Sequence, residues 1–213
     1  MKKLIFLVIL ITIPVSCFAV VYNRNGVSIN TSTNINGCQS ASGINGATVV
    51  SASSPGTLYI YPDGDSIYND WSALGAGNHY VEIDDNKDSP DEDTTYLSTT
   101  GNSQYDNWTI ESDGGELTGK TITNVTVYFR SKASAGTPVY YIDIRVNGVN
   151  YASAGKTQST SYDWYNNAWA QNPNTTSEWT QSDINNLIVG THSGSIAGNT
   201  LYITTVYVKV DYE

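Results

Sequence analysis

The clearest pattern in the chain is an alternation of apolar and polar positions in segments rich in Val, Ile and Tyr. In the last segment, Leu201–Tyr212, one face carries Val206, Val208, Val210 and Tyr212, and the other face is mostly polar. A period of two is typical of a strand that buries one face. The pattern therefore predicts one long strand at this end of the chain.

Two further long strands are predicted over 121–131 and 139–147, where apolar positions again alternate with polar ones. Asn147-Gly148 follows the second and predicts a hairpin, because a type I′ turn needs positive φ at both central residues. Shorter strands are predicted over 57–61, 80–83, 94–99, 106–111 and 160–170. Pro62-Asp63-Gly64 predicts a turn after the first of these.

One short helix is predicted over 182–187, with Ser182 or Asp183 as its cap, and a Gly/Ser-rich loop follows it. Helices and strands do not alternate along the sequence, which excludes a parallel α/β fold. The expected fold is all-β, an antiparallel β-sandwich of jelly-roll type with about eight or nine strands.

The first 19 residues predict a signal peptide, with Lys2 and Lys3 before an apolar run and Ala19 at the cleavage site. A lipid anchor on Cys17 is the alternative, since residues 14–17 resemble a lipobox in which Pro14 replaces the usual Leu. Residues 20–56 read as a low-charge, flexible arm, or as an arm that lends a strand to a neighbouring subunit. The sandwich domain is expected over 57–213.

The chain of 213 residues has a net charge of −10 at pH 7. This charge argues against nucleic acid and anionic membrane surfaces as partners, because both require Lys and Arg. No segment beyond the signal peptide is long and apolar enough to span a membrane. Loss of Cys17 with the signal would leave Cys38 alone, so no disulfide framework is expected. We therefore predict a secreted or cell-surface protein.

Several motifs follow one another in order along 57–213. After the acidic loop these are Asp93-Thr94-Thr95-Tyr96, TVYFR at 126–130, SYDWYNNAWAQNP at 161–173, WTQSDINNLIVG at 179–190 and TTVYVKVDY at 204–212. Together they resemble a jelly-roll-like β-sandwich module of phage virion and tail-associated proteins and of secreted surface proteins. The resemblance implies a scaffold with a structural or binding role, and it carries no catalytic motif. The predicted signal peptide is not expected in a phage virion protein, so it favours the secreted surface proteins of this group.

The segment 82–93 is dense in carboxylates and predicts a cation site. Ca²⁺ binds several oxygen ligands, which loops at the edge of a sandwich can supply. The candidate calcium ligands are Glu82, Asp84, Asp85, Asp88, Asp91 and Asp93. The spacing departs from an EF-hand, because Ser89 stands where that loop needs glycine, so a solvated acidic loop is the alternative.

Aromatic residues are plentiful, with 16 Tyr and 5 Trp. Tyr162, Trp164, Tyr165 and Trp169 are a candidate surface for stacking on sugar rings, and the alternative is ordinary core and cross-strand packing. On other strands, aromatic residues at polar positions predict a contact surface if they are exposed, and these are Tyr59, Tyr61, Tyr141 and Tyr207. The two histidines, His79 and His192, are expected in loops or at edges.

These features favour a secreted, non-enzymatic β-sandwich that acts as a surface structural, filament-forming or adhesive subunit. It would associate with itself or with another surface protein through the arm, and calcium would stabilise it. The alternative function is a carbohydrate-binding module with a glycan partner. A phage-derived virion protein and a glycoside-active enzyme are weaker alternatives, and motifs such as HExxH and GxSxG are missing from the sequence.

Overall fold

A computed structural model describes residues 30–31, 50–51, 54–75 and 77–213 of the protein. The chain divides into two units, Met1–Pro55 and Gly56–Glu213. In the first, β1 (Asn30–Thr31) pairs in parallel with β2 (Val50–Ser51). The predicted signal peptide, Cys17, Cys38 and most of the predicted arm lie outside the described residues.

Strands are the main regular secondary structure of the second unit. They are β3 (Gly56–Ile60), β4 (Pro62–Asn69), β5 (Ser72–Ala73), β6 (Leu97–Thr99), β7 (Tyr105–Ile110), β8 (Ile122–Ala133), β9 (Val139–Val146), β10 (Val149–Ala152), β11 (Lys156–Thr157), β12 (Asp163–Trp169), β13 (Ile188–Ser193) and β14 (Leu201–Tyr212). The two short helices are a 3₁₀ helix (His79–Glu82) and α1 (Gln181–Asn185).

These strands form two antiparallel sheets of six strands each. The first sheet has the order β12-β8-β14-β6-β5, with β3 also paired to β14. The second sheet has the order β10-β9-β13-β7-β4, with β11 also paired to β9. The predicted all-β antiparallel sandwich is therefore confirmed, with more and shorter strands than the sequence indicated.

The core lies between the sheets and is built from the alternating positions that the sequence shows. In β14, Val206, Val208 and Val210 are fully buried. From the second sheet, Trp108 on β7 packs edge to face on Phe129 of β8 with the ring centroids 6.1 Å apart. Removal of this apolar surface from water is the main force that holds the two sheets together.

The hairpin prediction at Asn147-Gly148 is confirmed. These two residues connect β9 to β10 with φ values of 50° and 81°. The local demand for positive φ at both positions explains why this turn is readable from two residues.

Two other predictions near the start of the domain are wrong. Pro62-Asp63-Gly64 does not turn the chain back, because it begins β4 and carries the chain from the first sheet to the second, with a shift of register between Pro62 and Gly64. Residues 80–83 are not a strand, since 79–82 form the 3₁₀ helix. Short apolar segments do not distinguish a strand from a helical turn by their period.

The C-terminal region also differs in part from expectation. The helix begins one residue earlier than predicted, at Gln181, and its cap is Thr180 rather than Ser182 or Asp183. The Thr180 hydroxyl accepts the backbone N–H of Asp183, and the Asp183 carboxylate accepts the N–H of Thr180, which completes a capping box. The expected Gly/Ser loop contains β13, which lies between β9 and β7 in the second sheet.

Candidate functional site

The four predicted aromatic residues do not form one surface. Tyr162 and Trp164 lie on the outer side of the first sheet, where both contact Arg130. Tyr165 and Trp169 instead pack against the core, with the Tyr165 ring edge to face on Tyr140 at 6.0 Å. Successive residues of a strand point to opposite faces, so Trp164 and Tyr165 cannot share one. The predicted quartet is therefore wrong as a single site.

Several rings on the outer face of the first sheet are covered by cations or by other rings. The Arg130 guanidinium lies 5.7 Å from the Trp164 ring centre, and the Lys132 ammonium lies 4.3 Å from that of Tyr162. Tyr207 is stacked on Tyr128 at 4.8 Å and is nearly buried. Cation–π contacts and mutual stacking occupy the ring faces that a sugar would need.

The acidic segment binds protein cations and backbone donors rather than converging on one point. Lys132 donates to Asp93 at 2.5 Å, and Arg130 is paired with Glu92. Buried Glu82 accepts the backbone N–H of Gly75 at 3.0 Å. Each of these contacts directs a carboxylate to a different partner.

The remaining carboxylates of the segment organise the loop itself. Asp85 accepts the N–H of Asp91 at 2.8 Å, and Asp91 accepts the N–H and the hydroxyl of Thr95. Burial raises the pKa of Asp85, the hydrogen bond from the backbone N–H of Asp91 opposes this rise, and the charge of the Asp91 carboxylate adds to it. In the described ranges, no group of three or more His, Cys, Asp or Glu side chains is placed to hold a metal ion. The calcium site stays a prediction from the sequence.

The outer face of the second sheet carries a row of aromatic rings from four adjacent strands. His192 on β13 is stacked on Tyr141 of β9 at 4.3 Å and on Tyr105 of β7 at 5.0 Å, and the ring planes lie within 19° of parallel. Tyr68 on β4 extends the row, 5.5 Å from Tyr105 and tilted by 45°. We call these four residues the aromatic row.

The row follows directly from strand register. His192 lies opposite Tyr141 on one side and Tyr105 on the other, and directly paired side chains are close enough to stack. Rings that stack across strands turn their edges, with their polar atoms, toward solvent. Tyr68, at the end of the row and 38% exposed, keeps more of its ring face open.

A small depression of about 10 Å³, which has room for roughly one water molecule, lies beside the aromatic row on the same face. Its floor is Gly190, which is paired with Asp143 on β9 and with Asn107 on β7. A Cβ at Gly190 would lie 2.6 Å from the Cβ of Asn107, so a larger residue does not fit without displacing β7. Arg145 and Asn150 line the rim, joined by a 2.9 Å hydrogen bond. We call this the central depression.

A hydrogen bond between His192 and the buried Asp143 connects the row to the depression. The Nδ1 of His192 lies 2.6 Å from Oδ2 of Asp143, whose residue is 8% exposed. Burial raises the pKa of Asp143, while the hydrogen bond and the charge of His192 oppose the rise. The Oδ1 atom of Asp143 is buried and has no hydrogen-bond partner among the described residues. This pair fixes the orientation of the imidazole and leaves Nε2 for a ligand.

The second histidine has a similar partner in the protein interior. His79 begins the 3₁₀ helix, and its Nδ1 lies 2.6 Å from Oδ2 of the fully buried Asp106. Burial raises the pKa of Asp106 to about 7, although the charge and hydrogen bond of His79 lower it. The expectation that both histidines occupy loops or edges is thus wrong for His192, which lies on an internal strand.

Sequence reasoning missed this site because it placed His192 in a loop. The readable signal was the position of His192 in β13, where Ile188 and His192 are more exposed than the buried Val189, Thr191 and Ser193. Tyr141 was correctly placed on a polar strand face, but its neighbours across the sheet were not apparent.

No protein-family model matches the sequence, and no curated protein matches it. Solved structures show weak similarity to the chain. The C-terminal CBM6 of the laminarinase LamC from Zobellia galactanivorans is 9% identical, with a TM-score of 0.39, and the match covers 73% of this chain and 98% of that one. CBM29_1, a family 29 carbohydrate binding module from Piromyces equi, is 10% identical, with a TM-score of 0.34, covering 74% of this chain and 91% of that one.

The Agl-KA catalytic domain is 13% identical with a TM-score of 0.38, and the match covers 73% of this chain and 27% of that one. Similarities at this level assign neither a family nor a ligand to the chain. Among the described residues, neither helix has the length and apolar composition needed to cross a membrane.

Proposed function

We propose that the protein is a non-enzymatic carbohydrate-binding module that holds a glycan on the outer face of its second sheet. The observation that carries the proposal is the aromatic row beside the central depression. A pyranose ring has an apolar face of C–H groups and a rim of hydroxyls, so it needs an aromatic surface next to convergent polar groups. This face has both, whereas cations lie over the rings of Trp164 and Tyr162 on the first sheet.

Each part of the face has a distinct role in this proposal. Tyr68 provides the ring face on which a sugar stacks, and the hydroxyl edges of Tyr105 and Tyr141 contact sugar hydroxyls. His192 Nε2 and the Arg145–Asn150 pair supply hydrogen-bonding groups beside the depression. The row crosses four strands, or roughly 14 Å at the usual strand spacing, which suits a short oligosaccharide.

The proposed function replaces the surface-subunit hypothesis as the leading one. That hypothesis depended on the arm at 20–56, and most of the arm lies outside the described residues. Binding to a surface glycan is itself an adhesive activity, so secretion and adhesion remain compatible with the proposal. A strand-donating arm has no described contact that favours it.

The test is isothermal titration calorimetry of the full chain with cello-, laminari-, xylo- and mannohexaose. We expect saturable binding to at least one of them, and Tyr68→Ala should raise the Kd by about tenfold. Tyr59→Ala on the first sheet is the matched control, because Tyr59 is 39% exposed and Tyr68 is 38% exposed. The proposal fails if none of the four oligosaccharides binds, or if the two variants weaken binding equally.

A further inference from the structure

A second cleft lies at the end of the sandwich where β12 ends and β8 begins. Its volume is about 710 Å³, within the usual range of about 300–1,000 Å³ for small-molecule sites. Its lining includes Thr121, Trp169, Gln171, Asn172, Glu178 and Glu213. None of these residues belongs to the aromatic row or the central depression.

The walls of this end cleft are held by hydrogen bonds within the protein. The indole N–H of Trp179 donates to the carbonyl of Trp169 at 2.9 Å, and the N–H of Asn172 donates to the carbonyl of Ser177 at 2.9 Å. Backbone bonds in both directions join Thr121 to Glu213. A ligand would therefore meet a largely preformed surface, which reduces the ordering cost of binding.

Asn172 supplies an unmet hydrogen-bond donor at this cleft. The residue is fully buried, and its Oδ1 accepts the backbone N–H of Asn174 at 2.9 Å. Its Nδ2 is buried and has no partner among the described residues. Buried polar groups in native proteins are nearly always satisfied by protein, water or ligand. The amide therefore has an unused donor next to the cleft, and because the residue is fully buried, a ligand hydroxyl reaches it only by displacing the side chains that cover it.

The charge and the aromatic content of the lining narrow the ligand class. Glu178 and Glu213 are acidic, and the residues that line the cleft include no Lys, Arg or His. The cleft should therefore repel carboxylate and phosphate ligands. Trp169 is half-buried and adds an indole to the lining. The carboxylates of Glu178 and Glu213 are good acceptors for hydrogen bonds from hydroxyl groups.

We infer that the end cleft is a second sugar site, which holds one or two neutral pyranose units and rejects uronic acids. The inference extends the proposed function, but it stands on different residues, so either site can fail without the other.

The test is a ¹H–¹⁵N NMR titration of the full chain, following the Trp169 indole N–H and the Asn172 side-chain amide. The probes are the methyl glycosides of glucose, galactose, mannose and xylose, with methyl glucuronide and methylammonium as charged comparisons. We expect at least one neutral glycoside to shift both signals saturably, with methyl glucuronide at least tenfold weaker. Gln171→Ala and Glu178→Ala, which change exposed side chains, should each weaken the effect about fivefold or more.

The matched control is Tyr68→Ala, which removes the stacking residue of the other site and should leave this titration unchanged. The inference is overturned if no neutral glycoside shifts the two signals, or if methylammonium shifts them and the sugars do not. It is also overturned if Tyr68→Ala abolishes the shifts, because the signals would then report binding at the aromatic row. If Tyr68→Ala loses hexaose binding while the glycoside shifts are unchanged, the loss concerns the aromatic row and does not count against the end cleft.

Discussion

Replacement of Asp106 by Asn should change how the stability of the protein depends on pH. Asp106 on β7 is fully buried, its Oδ2 lies 2.6 Å from Nδ1 of His79, and it accepts the backbone N–H of Trp71 at 3.3 Å. Burial raises its pKa to about 7 from an ordinary value of 3.8, and the charge and hydrogen bond of His79 only partly offset that rise. Asn has almost the same shape as the protonated acid and does not titrate.

The sign and the size of the effect follow from proton linkage. Because the pKa in the folded state lies above that in the unfolded state, the folded protein binds this proton more tightly. The stabilisation is complete below about pH 4 and is lost as the pH rises to about 7. The gap of about three pKa units, at roughly 1.4 kcal/mol each, sets the loss at about 4 kcal/mol as an upper value.

The assay is urea unfolding of the wild type and Asp106→Asn at intervals from pH 4 to pH 8. The variant should gain stability relative to the wild type across this interval, by an amount that approaches about 4 kcal/mol. Asp163→Asn, on an exposed aspartate of β12, is the control and should show a nearly constant difference. Parallel curves for the wild type and Asp106→Asn, or a variant that loses relative stability as the pH rises, would refute this reasoning.

Three further predictions concern packing at a glycine, the helix cap, and a carboxylate whose pKa is lowered by hydrogen bonds. Gly190→Ala places a Cβ 2.6 Å from a backbone oxygen of β7, so it should lower the unfolding free energy by about 1–3 kcal/mol. Gly77→Ala is the control, because a Cβ there meets nothing within 4 Å, and it should change the unfolding free energy little. Thr180→Ala removes half of the capping box and should cost about 1 kcal/mol in urea unfolding. Asp113→Asn should destabilise at pH 7 and much less near pH 2, because burial alone raises the pKa of Asp113 but the hydrogen bonds that it accepts hold it below 3.8. Equal destabilisation at both pH values would contradict that explanation.

The parts of the fold that sequence predicts well are those that depend on local rules. The alternation in β8, β9 and β14 fixes which side chains face the core, and Asn147-Gly148 fixes a turn through backbone sterics. The turn predicted at Pro62-Asp63-Gly64 does not form, because tertiary structure sets the conformation of these residues. The chain must pass from one sheet to the other there, so a turn-like sequence becomes the start of β4.

The prediction of an aromatic quartet contains an error that the alternation of side chains along a strand could have prevented. Trp164 and Tyr165 are adjacent in one strand, so a strand places them on opposite sides of the sheet. The composition of the segment suggested one surface, although the period of two already divided it. Composition identifies an aromatic segment, but only the position of each residue in the odd–even alternation of the strand shows which rings face solvent.

The aromatic row could not have been found in the same way, because it depends on which strands are neighbours. Tyr68, Tyr105, Tyr141 and His192 belong to β4, β7, β9 and β13, which are adjacent in space but not in sequence. Each residue alone is only an aromatic ring on the solvent side of a strand, a position with many explanations. The order of strands in the second sheet turns four such positions into one continuous surface. Position 190 beside it accepts only glycine, because Asn107 and a backbone oxygen of β7 leave no space for a Cβ. The function proposed here therefore depends on topology, and strand order is the least local property of a β-sandwich.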